Sequence, residues 1–414
     1  MGNRRVVITG IGVVAPNGIG KEEFWNGLCQ GKSGIDKVGR FDTSIFSACL
    51  AGEVRNFDPI AYIPAKKVQR TDRSTHFVIA STCMALDDAK LELTRKIREE
   101  ANVLIGTALS GHLSYIEQLR IYFTKGYKSV SPFAAVSCFV DASSGQLSIF
   151  FGIKGPTETI CAGCASSSNA IIEAYKRIKS DETDICIAGG TDAPIAEDIY
   201  CGFCQAGVLS QRESNAPAPF DKNRDGTVLS EGAGILILEE LGHALKRNAP
   251  NIYGEIIGYG MTTDAYQMAG IEPSGEQRAR AVKIALRTAG IQPEDVDYIS
   301  AHGTGTKLND ANETAVTKEV FGKHAYSIPI SSIKSMIGHT QGAAGALEII
   351  SCLMVLNRRI IPPTINYKTK DPKCDLNYVP NHSINKREVK IAVSNSFGFG
   401  GKNSIVVLKK FTDD

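Results

Sequence analysis

One cysteine, Cys164, stands where a chain could build a nucleophile. It follows a strand-like run, Thr157–Ile160, and directly precedes a segment whose apolar residues recur every three or four positions, from Ala170 to Ile178. That spacing predicts a helix that begins just after the thiol and is capped by the hydroxyl residues Ser166–Ser168. A helix N-terminus stabilises thiolate over thiol, because its N–H groups are unpaired and its dipole end is positive. The alternative is a small buried cysteine in a turn.

Two histidines could provide the partners that such a nucleophile needs. His302 follows the strand-like run Val296–Ser300, and His339 follows the run Ile328–Ile333 with Lys334 between them. In both places an apolar strand leads into a glycine-rich turn that carries the polar group. Functional groups in open α/β folds gather at the carboxyl ends of strands. Either histidine alone would more often be structural, but together with the cysteine they predict one shared site.

The chain resembles a known family, the elongating β-ketoacyl-acyl-carrier-protein synthases with their Cys-His-His centre. The motifs that carry the resemblance run nearly end to end: Val6–Gly12, Cys164, Phe220–Gly226, Glu231–Gly234, His302–Thr306, Lys334, Gly338–His339 and Asn395–Gly401. The resemblance implies an α/β protein with the thiolase-like fold, five αβαβα layers built from two halves related by a pseudo-twofold axis.

The resemblance also implies an acyltransferase mechanism without a bound cofactor. Cys164 would take the acyl chain from the phosphopantetheine arm of an acyl carrier protein. His302 and His339, both uncharged, would stabilise the enolate formed when malonyl loses carbon dioxide. Phe399 resembles the residue that gates the site and completes the oxyanion hole with its backbone N–H.

Further residues would support this centre. Thr304 and Thr306 resemble the groups that bind the pantetheine arm. We expect Glu313 to pair with the ammonium of Lys334 and to keep the histidine loops in register, because an unpaired ammonium is costly in apolar surroundings. Asp310 is a second supporting carboxylate of the same segment.

Finer motifs resemble the catalytic ketosynthase α subunit of type II polyketide synthases. They are Asn309–Thr314, Ser331–Met336 and Asp371–Pro380. Such subunits pair with a chain-length-factor homologue that lacks the cysteine, so the resemblance implies a heterodimer. The alternatives are a homodimeric fatty-acid synthase of the same chemistry and a non-catalytic chain-length-determining partner. Ala165–Ser167 departs from the Thr-Ser-Gly common after the nucleophile.

Composition excludes several other classes of protein. The 414 residues carry 46 basic and 44 acidic side chains, so no basic field indicates nucleic acid. No apolar run is long enough to span a membrane, and the N-terminus lacks a signal-peptide core. An odd number of cysteines, eleven, favours a reducing cytoplasm. Two C-x-x-C pairs, Cys161–Cys164 and Cys201–Cys204, imitate a zinc site, but their separation is too long for a zinc ribbon, and we predict no metal.

The length predicts two units, residues 1–250 with the cysteine and residues 251–414 with the histidines and the lysine.

Acyl carrier proteins are acidic, so a basic cluster should receive them. The residues Lys66, Lys67, Arg70 and Arg73 lie at a position that resembles the family's docking edge. A solvated helix face is the alternative for this cluster.

Overall fold

The computed structural model describes residues 4–412. The strands are β1 (Val6–Ala15), β2 (Gly18–Ile19), β3 (Asp36–Lys37), β4 (Leu50–Ala51), β5 (Asn102–Gly106), β6 (Thr157–Ile160), β7 (Ile185–Asp192), β8 (Gly232–Glu240), β9 (Gly254–Thr263), β10 (Tyr298–Ser300), β11 (Ile330–Ser331), β12 (Ile360–Ile361), β13 (Ile384–Asn385), β14 (Ile391–Gly398) and β15 (Lys402–Lys409). The helices are α1 (Lys21–Cys29), α2 (Ala65–Val68), α3 (Arg73–Ala89), α4 (Arg95–Glu100), α5 (His112–Lys125), α6 (Ala134–Ser137), α7 (Ala142–Phe151), α8 (Ser166–Lys179), α9 (Glu197–Gln205), α10 (Leu241–Lys246), α11 (Glu276–Ala289), α12 (Lys307–Phe321), α13 (Lys334–Ile337) and α14 (Ala344–Arg358).

The main sheet repeats one five-stranded pattern. Its order is β11-β10-β14-β15-β9-β1-β8-β7-β5-β6, with the short β2 paired to β1. In the first half β5 is parallel to β6 and β7, whereas β8 is antiparallel to β7 and β1. In the second half β10 is parallel to β11 and β14, whereas β15 is antiparallel to β14 and β9. The two halves therefore share one topology and meet where β1 pairs with β9.

Helices form the remaining layers. The helices α8 and α14 pack on each other between the two halves of the sheet, whereas α3 packs on β1 and β8 outside one half and α11 on β9 and β15 outside the other. Residues 344–356 of α14 are all buried, as expected for a helix enclosed on every side. This arrangement confirms the predicted five-layered, thiolase-like αβαβα fold.

Matching glycines bring the outer helices close to the sheet in both halves. Gly12 and Gly260 each occupy the seventh position of a ten-residue strand, β1 and β9. A Cβ at Gly12 would lie 1.8 Å from the carbonyl oxygen of Ser81 in α3, and one at Gly260 would lie 1.9 Å from that of Ala281 in α11. A side chain at either position would push the helix away, so the repeat extends to helix–sheet contacts.

The sequence located most of the strands that matter for the site. β6 has the predicted bounds. The two strands before the histidines are shorter than predicted: β10 begins at Tyr298 rather than Val296, and β11 covers only Ile330–Ser331. The division at residue 250 stays a prediction. In the described part of the chain, no helix is both long and apolar enough to cross a membrane.

Candidate active site

Cys164 lies on a single 3₁₀ turn, Gly163–Ala165, that leads directly into α8. The helix begins where the sequence predicted, but the predicted hydroxyl cap is wrong. Ala165 occupies the cap position, and Ser166, inside the first turn, places its Oγ 2.6 Å from the Gly163 carbonyl oxygen and accepts a hydrogen bond from the Ala162 N–H at 2.8 Å. Ser166 therefore braces the turn that presents the thiol instead of capping the helix.

Burial of Cys164 favours its protonated thiol. Burial raises its pKa to about 11, although the backbone N–H of Phe399 and the charge of Lys334 both act in the opposite direction. Backbone N–H groups at the helix start favour the thiolate, as expected, but Cys164 is only 6% exposed and the desolvation of its sulfur has the larger effect on its pKa. The thiol must lose its proton as it reacts.

His302 and His339 meet at the cavity that holds Cys164. Their ring centroids are 5.4 Å apart in an edge-to-face arrangement. The Nδ1 of His302 lies 3.3 Å from the Nζ of Lys334, and the Nδ1 of His339 accepts the backbone N–H of Gln341 at 3.1 Å. Both Nδ1 atoms face donors, so each neutral ring carries its proton on Nε2.

The surroundings keep both rings uncharged. Burial, reinforced by the nearby charge of Lys334, lowers the pKa of His302 and of His339 well below the ordinary value of 6.5. This direction agrees with the expectation that both imidazoles act in the neutral form. Two imidazoles with Nε2–H donors therefore line the same cavity as the sulfur of Cys164, an arrangement that can hold a developing oxyanion.

Lys334 pairs with Glu348, so the predicted pairing of Lys334 with Glu313 is wrong. The ammonium and the carboxylate of Glu348 form a buried salt bridge, each side chain 1% exposed. Burial raises the pKa of Glu348 to about 7 against the opposing effect of Lys334. Glu348 lies on the enclosed helix α14, in an apolar stretch with no motif, so nothing in the sequence indicated it as the partner.

Glu313 supports the first histidine through its backbone. Its carboxylate accepts the N–H groups of His302 and Gly303, each at 2.8 Å. Asp310, one turn earlier on α12, accepts the N–H groups of Phe220 at 2.7 Å and Gly305 at 3.3 Å. Burial raises the pKa of Asp310 to about 6. Both carboxylates therefore fix the His302 loop, although neither contacts Lys334.

A cavity of about 570 Å³ joins the candidate residues. Cys164, His302, His339, Thr304, Thr306 and Phe399 all line it. The hydroxyls of Thr304 and Thr306 are 3.0 Å apart, and Thr306 also caps α12 by accepting the N–H of Asn309. The ring of Phe399 is 43% exposed and lies 6.5 Å from that of Phe203. The predicted gate and pantetheine residues thus share one opening with the catalytic candidates.

Arg278 and Gln341 are polar residues of this cavity that the sequence patterns did not single out. Arg278 is buried with its guanidinium 4.4 Å from the centre of the Phe397 ring, and its Nη1 donates to the side-chain oxygens of Asn309 and Asn312. Gln341 places Oε1 3.8 Å from the sulfur of Cys164. Neither belongs to a catalytic motif; the Asn309–Thr314 segment was the available signal for Arg278, since two of its asparagines receive the guanidinium.

The basic cluster is only partly available at the surface. Lys66 and Lys67 on α2 are exposed, and so is Arg70. Arg73 instead forms a salt bridge with the buried Glu231 at 2.8 Å, so it serves the interior of the fold. Of the four predicted docking residues, three therefore present their charge to solvent.

No metal site accompanies the cysteines. Within residues 4–412, no group of three or more His, Cys, Asp or Glu side chains is placed to hold an ion. All eleven cysteines are free thiols, with Cys161 exposed beside the buried Cys164.

Comparison with known proteins identifies the family. Residues 3–244 match the family described as β-ketoacyl synthase, N-terminal domain, and residues 253–368 match its C-terminal domain. The chain therefore belongs to the β-ketoacyl synthases, which are acyl-transferring enzymes. Its curated relatives include 3-oxoacyl-acyl-carrier-protein synthase 2 of Synechocystis, 42% identical over 99% of this chain and 98% of the relative, and that of Staphylococcus aureus (strain COL), 41% identical over 99% of both.

Solved structures extend this likeness to polyketide enzymes. A type II polyketide synthase ketosynthase, in complex with its acyl carrier protein and bound to a hexaketide, has a TM-score of 0.91 at 35% identity, covering 99% of this chain and 100% of that one. The ishigamide ketosynthase/chain length factor gives 0.93 at 34% identity with the same coverage.

The Lys334–Glu348 pair can be tested through stability. Replacing Glu348 by methionine leaves a buried ammonium unpaired, so we expect Glu348→Met to lower the free energy of unfolding by about 3–5 kcal/mol. Replacing both residues by methionine removes the unpaired charge and should recover most of that loss. Chemical denaturation of the single and double variants measures both effects. A double variant no more stable than Glu348→Met contradicts the pairing.

Proposed function

We propose that this enzyme condenses an acyl chain held on Cys164 with malonyl units delivered by an acyl carrier protein, releasing carbon dioxide. The observation that carries the proposal is the meeting of one thiol and two neutral imidazoles in a single cavity. The phosphopantetheine arm of the carrier would enter past Thr304 and Thr306, which line the same cavity.

Acyl transfer comes first. The sulfur of Cys164 attacks the carbonyl carbon of the carrier thioester, and the thiol proton leaves on the departing pantetheine thiol, so atoms and charge balance. The N–H groups of Cys164 and Phe399 would bind the oxyanion of the tetrahedral intermediate. The Phe399 N–H acts to lower the pKa of the Cys164 thiol, so it favours negative charge there, which supports this role.

Decarboxylation follows when malonyl occupies the cavity. Cleavage of the bond to the carboxylate releases carbon dioxide and leaves an enolate, whose oxygen accepts the Nε2–H groups of His302 and His339. Each such donor contributes about 3 kcal/mol to the barrier reduction. The enolate carbon then attacks the Cys164 thioester, which frees the thiolate and gives a β-ketoacyl chain two carbons longer on the carrier.

Lys334 acts by holding the imidazoles in the required state. Its ammonium faces the Nδ1 of His302, and its charge opposes protonation of both rings. Phe399 serves as a gate: its ring lies at the cavity opening, and Gly400, at a φ of +75° with open space around it, permits the backbone beside it to move.

Cys164→Ala should abolish acyl transfer and chain extension while some malonyl decarboxylation persists. The substitution removes only the nucleophile, whereas the two histidine donors remain in place. Mass spectrometry of the carrier-bound products measures extension, and release of labelled carbon dioxide measures decarboxylation. Chain extension by Cys164→Ala would refute the assignment.

The rate at which Cys164→Ala decarboxylates malonyl should stay nearly constant as the pH is lowered through 6.5. The folded protein depresses the pKa of both histidines below that ordinary value, so they remain neutral in this range. The unfolded chain takes up protons there that the folded chain does not, so the stability these groups contribute is full above about pH 6.5 and declines below it. An activity loss centred near pH 6.5 would show that the rings titrate normally.

For the pathway, we favour the catalytic subunit of a type II polyketide synthase working with a homologous partner that lacks the cysteine. The polyketide structures at 34–35% identity and the Asn309–Thr314 segment support this choice. The second candidate, a homodimeric fatty-acid enzyme, is favoured by curated relatives at 41–42% identity that are named 3-oxoacyl-acyl-carrier-protein synthase 2. The intact Cys164 argues against a non-catalytic partner subunit.

An exposed apolar surface supports a partner subunit in either case. Large apolar side chains are exposed along one stretch of chain, residues 115–149: Tyr115, Tyr122, Phe123, Tyr127, Phe133, Val136, Phe139, Val140 and Ile149. Nearby, β6 forms the free edge of the main sheet. Exposed apolar patches and open strand edges are typical of interfaces.

For the carrier protein, the exposed residues Lys66, Lys67 and Arg70 remain the proposed docking site. The cytoplasm remains the proposed location of the enzyme.

The chain purified alone separates the two pathway candidates. The polyketide proposal predicts that it extends chains only after the cysteine-less homologue is added and that the two then co-elute as a heterodimer. Size-exclusion chromatography with light scattering gives the assembly, and product mass spectrometry gives the activity. A stable homodimer that elongates saturated chains unaided would establish the fatty-acid alternative.

A further inference from the structure

The side-chain amide of Gln341 has no role in the condensation described above, yet it lies beside the nucleophile. Gln341 is 4% exposed and lines the cavity, with Oε1 3.8 Å from the Cys164 sulfur. Its Nε2 is buried and has no hydrogen-bond partner among residues 4–412. Leaving a buried donor without an acceptor costs about 1–3 kcal/mol of free energy. An oxygen of a bound ligand that accepts from this Nε2 would remove that cost.

The backbone holds this amide in place. Gln341 adopts a φ of +49°, and its N–H donates to the Nδ1 of His339. The next N–H, of Gly342, donates to the buried carboxylate of Asp192 at 2.6 Å, and the Thr107 hydroxyl donates to the same carboxylate at 2.6 Å. The turn is fixed on both sides, so the side chain remains directed at the reaction centre.

Acyl transfer changes what the amide faces. In the resting protein the thiol of Cys164 donates to Oε1. When the thiol proton leaves with the carrier, Oε1 loses that donor and the amide is free to rotate about its last bond. The thioester carbonyl is then bound by the N–H groups of Cys164 and Phe399. The next position along the chain at which an oxygen occurs in growing polyketides is C3.

We infer that the Nε2 of Gln341 donates a hydrogen bond to an oxygen on C3 of the acyl chain carried by Cys164. The site then selects β-oxygenated chains over saturated chains of equal length. This inference rests on the proposed function and deepens it, because it names the class of chain that the enzyme accepts. A site that hydrogen-bonds a substrate oxygen discriminates against an analogue without it.

The test compares two four-carbon thioesters of N-acetylcysteamine, acetoacetyl and butyryl, which differ only in the oxygen on C3. Intact-protein mass spectrometry gives the rate of Cys164 acylation by each. We expect Gln341→Met, which keeps length and loses the donor, to lower the acetoacetyl-to-butyryl rate ratio about tenfold. Gln211→Met is the matched control: this exposed glutamine lines the same cavity, and the ratio should not change.

A second variant guards against misfolding. Gln341→Asn keeps an amide that suits the positive φ but is too short to reach, so it should lower the ratio as well. An unchanged ratio in folded Gln341→Met or Gln341→Asn overturns the inference but not the proposed function. An unchanged ratio together with slower malonyl decarboxylation assigns Nε2 to the malonyl carboxylate and also overturns it. If neither thioester acylates Cys164 in the unmodified protein, the proposed function fails and the inference fails with it.

Discussion

The buried ammonium of Lys334 is the charge around which the site is organised. It lies 3.3 Å from His302, opposes protonation of both histidines, and favours ionisation of Cys164. Such a charge is tolerated at 1% exposure because Glu348 neutralises it from α14. The salt bridge therefore links the charge beside the histidines to the position of α14 at the centre of the fold.

The second constraint is that the two halves of the molecule contribute different groups to one cavity. The thiol comes from the turn before α8, and the imidazoles follow β10 and β11 in the other half. Serines of α8 join these parts: Ser167 accepts the N–H of Ala346 at 2.9 Å, and Ser168 lies 2.8 Å from the hydroxyl of Ser396. The site is accordingly as precise as the packing of α8 against α14 and β14.

The sequence predicted the parts of this protein that local patterns encode. A strand-like run located β6, and the spacing of apolar residues located the start of α8, because a strand or helix must show its own periodicity. The strands predicted before the histidines are longer than β10 and β11, because apolar residues such as Val296 and Ile328 are buried without being paired in the sheet. The resemblance supplied the five-layered architecture, which no single segment specifies.

The partner of Lys334 and the acidity of Cys164 both depend on burial, which the sequence does not show. The motif around Glu313 favoured it as the partner of Lys334, and only the packing of α14 brings Glu348 to the ammonium. Likewise, a helix N-terminus favours a thiolate, but the depth of Cys164 reverses the balance. Gln341 gave no signal, since its importance depends on a turn with positive φ that places an ordinary amide on the sulfur.

The serines behind Cys164 carry a consequence for how such chains diverge. The hydroxyls of Ser166, Ser167 and Ser168 make hydrogen bonds that hold α8 in place, whereas the sulfur of Cys164 interacts with the Oε1 of Gln341 and the N–H of Phe399. Structural integrity and reactivity thus reside in adjacent but separate atoms. After gene duplication, one substitution at Cys164 can remove the nucleophile and leave these hydrogen bonds intact. This architecture therefore allows a folded but inactive homologue to arise in a single step.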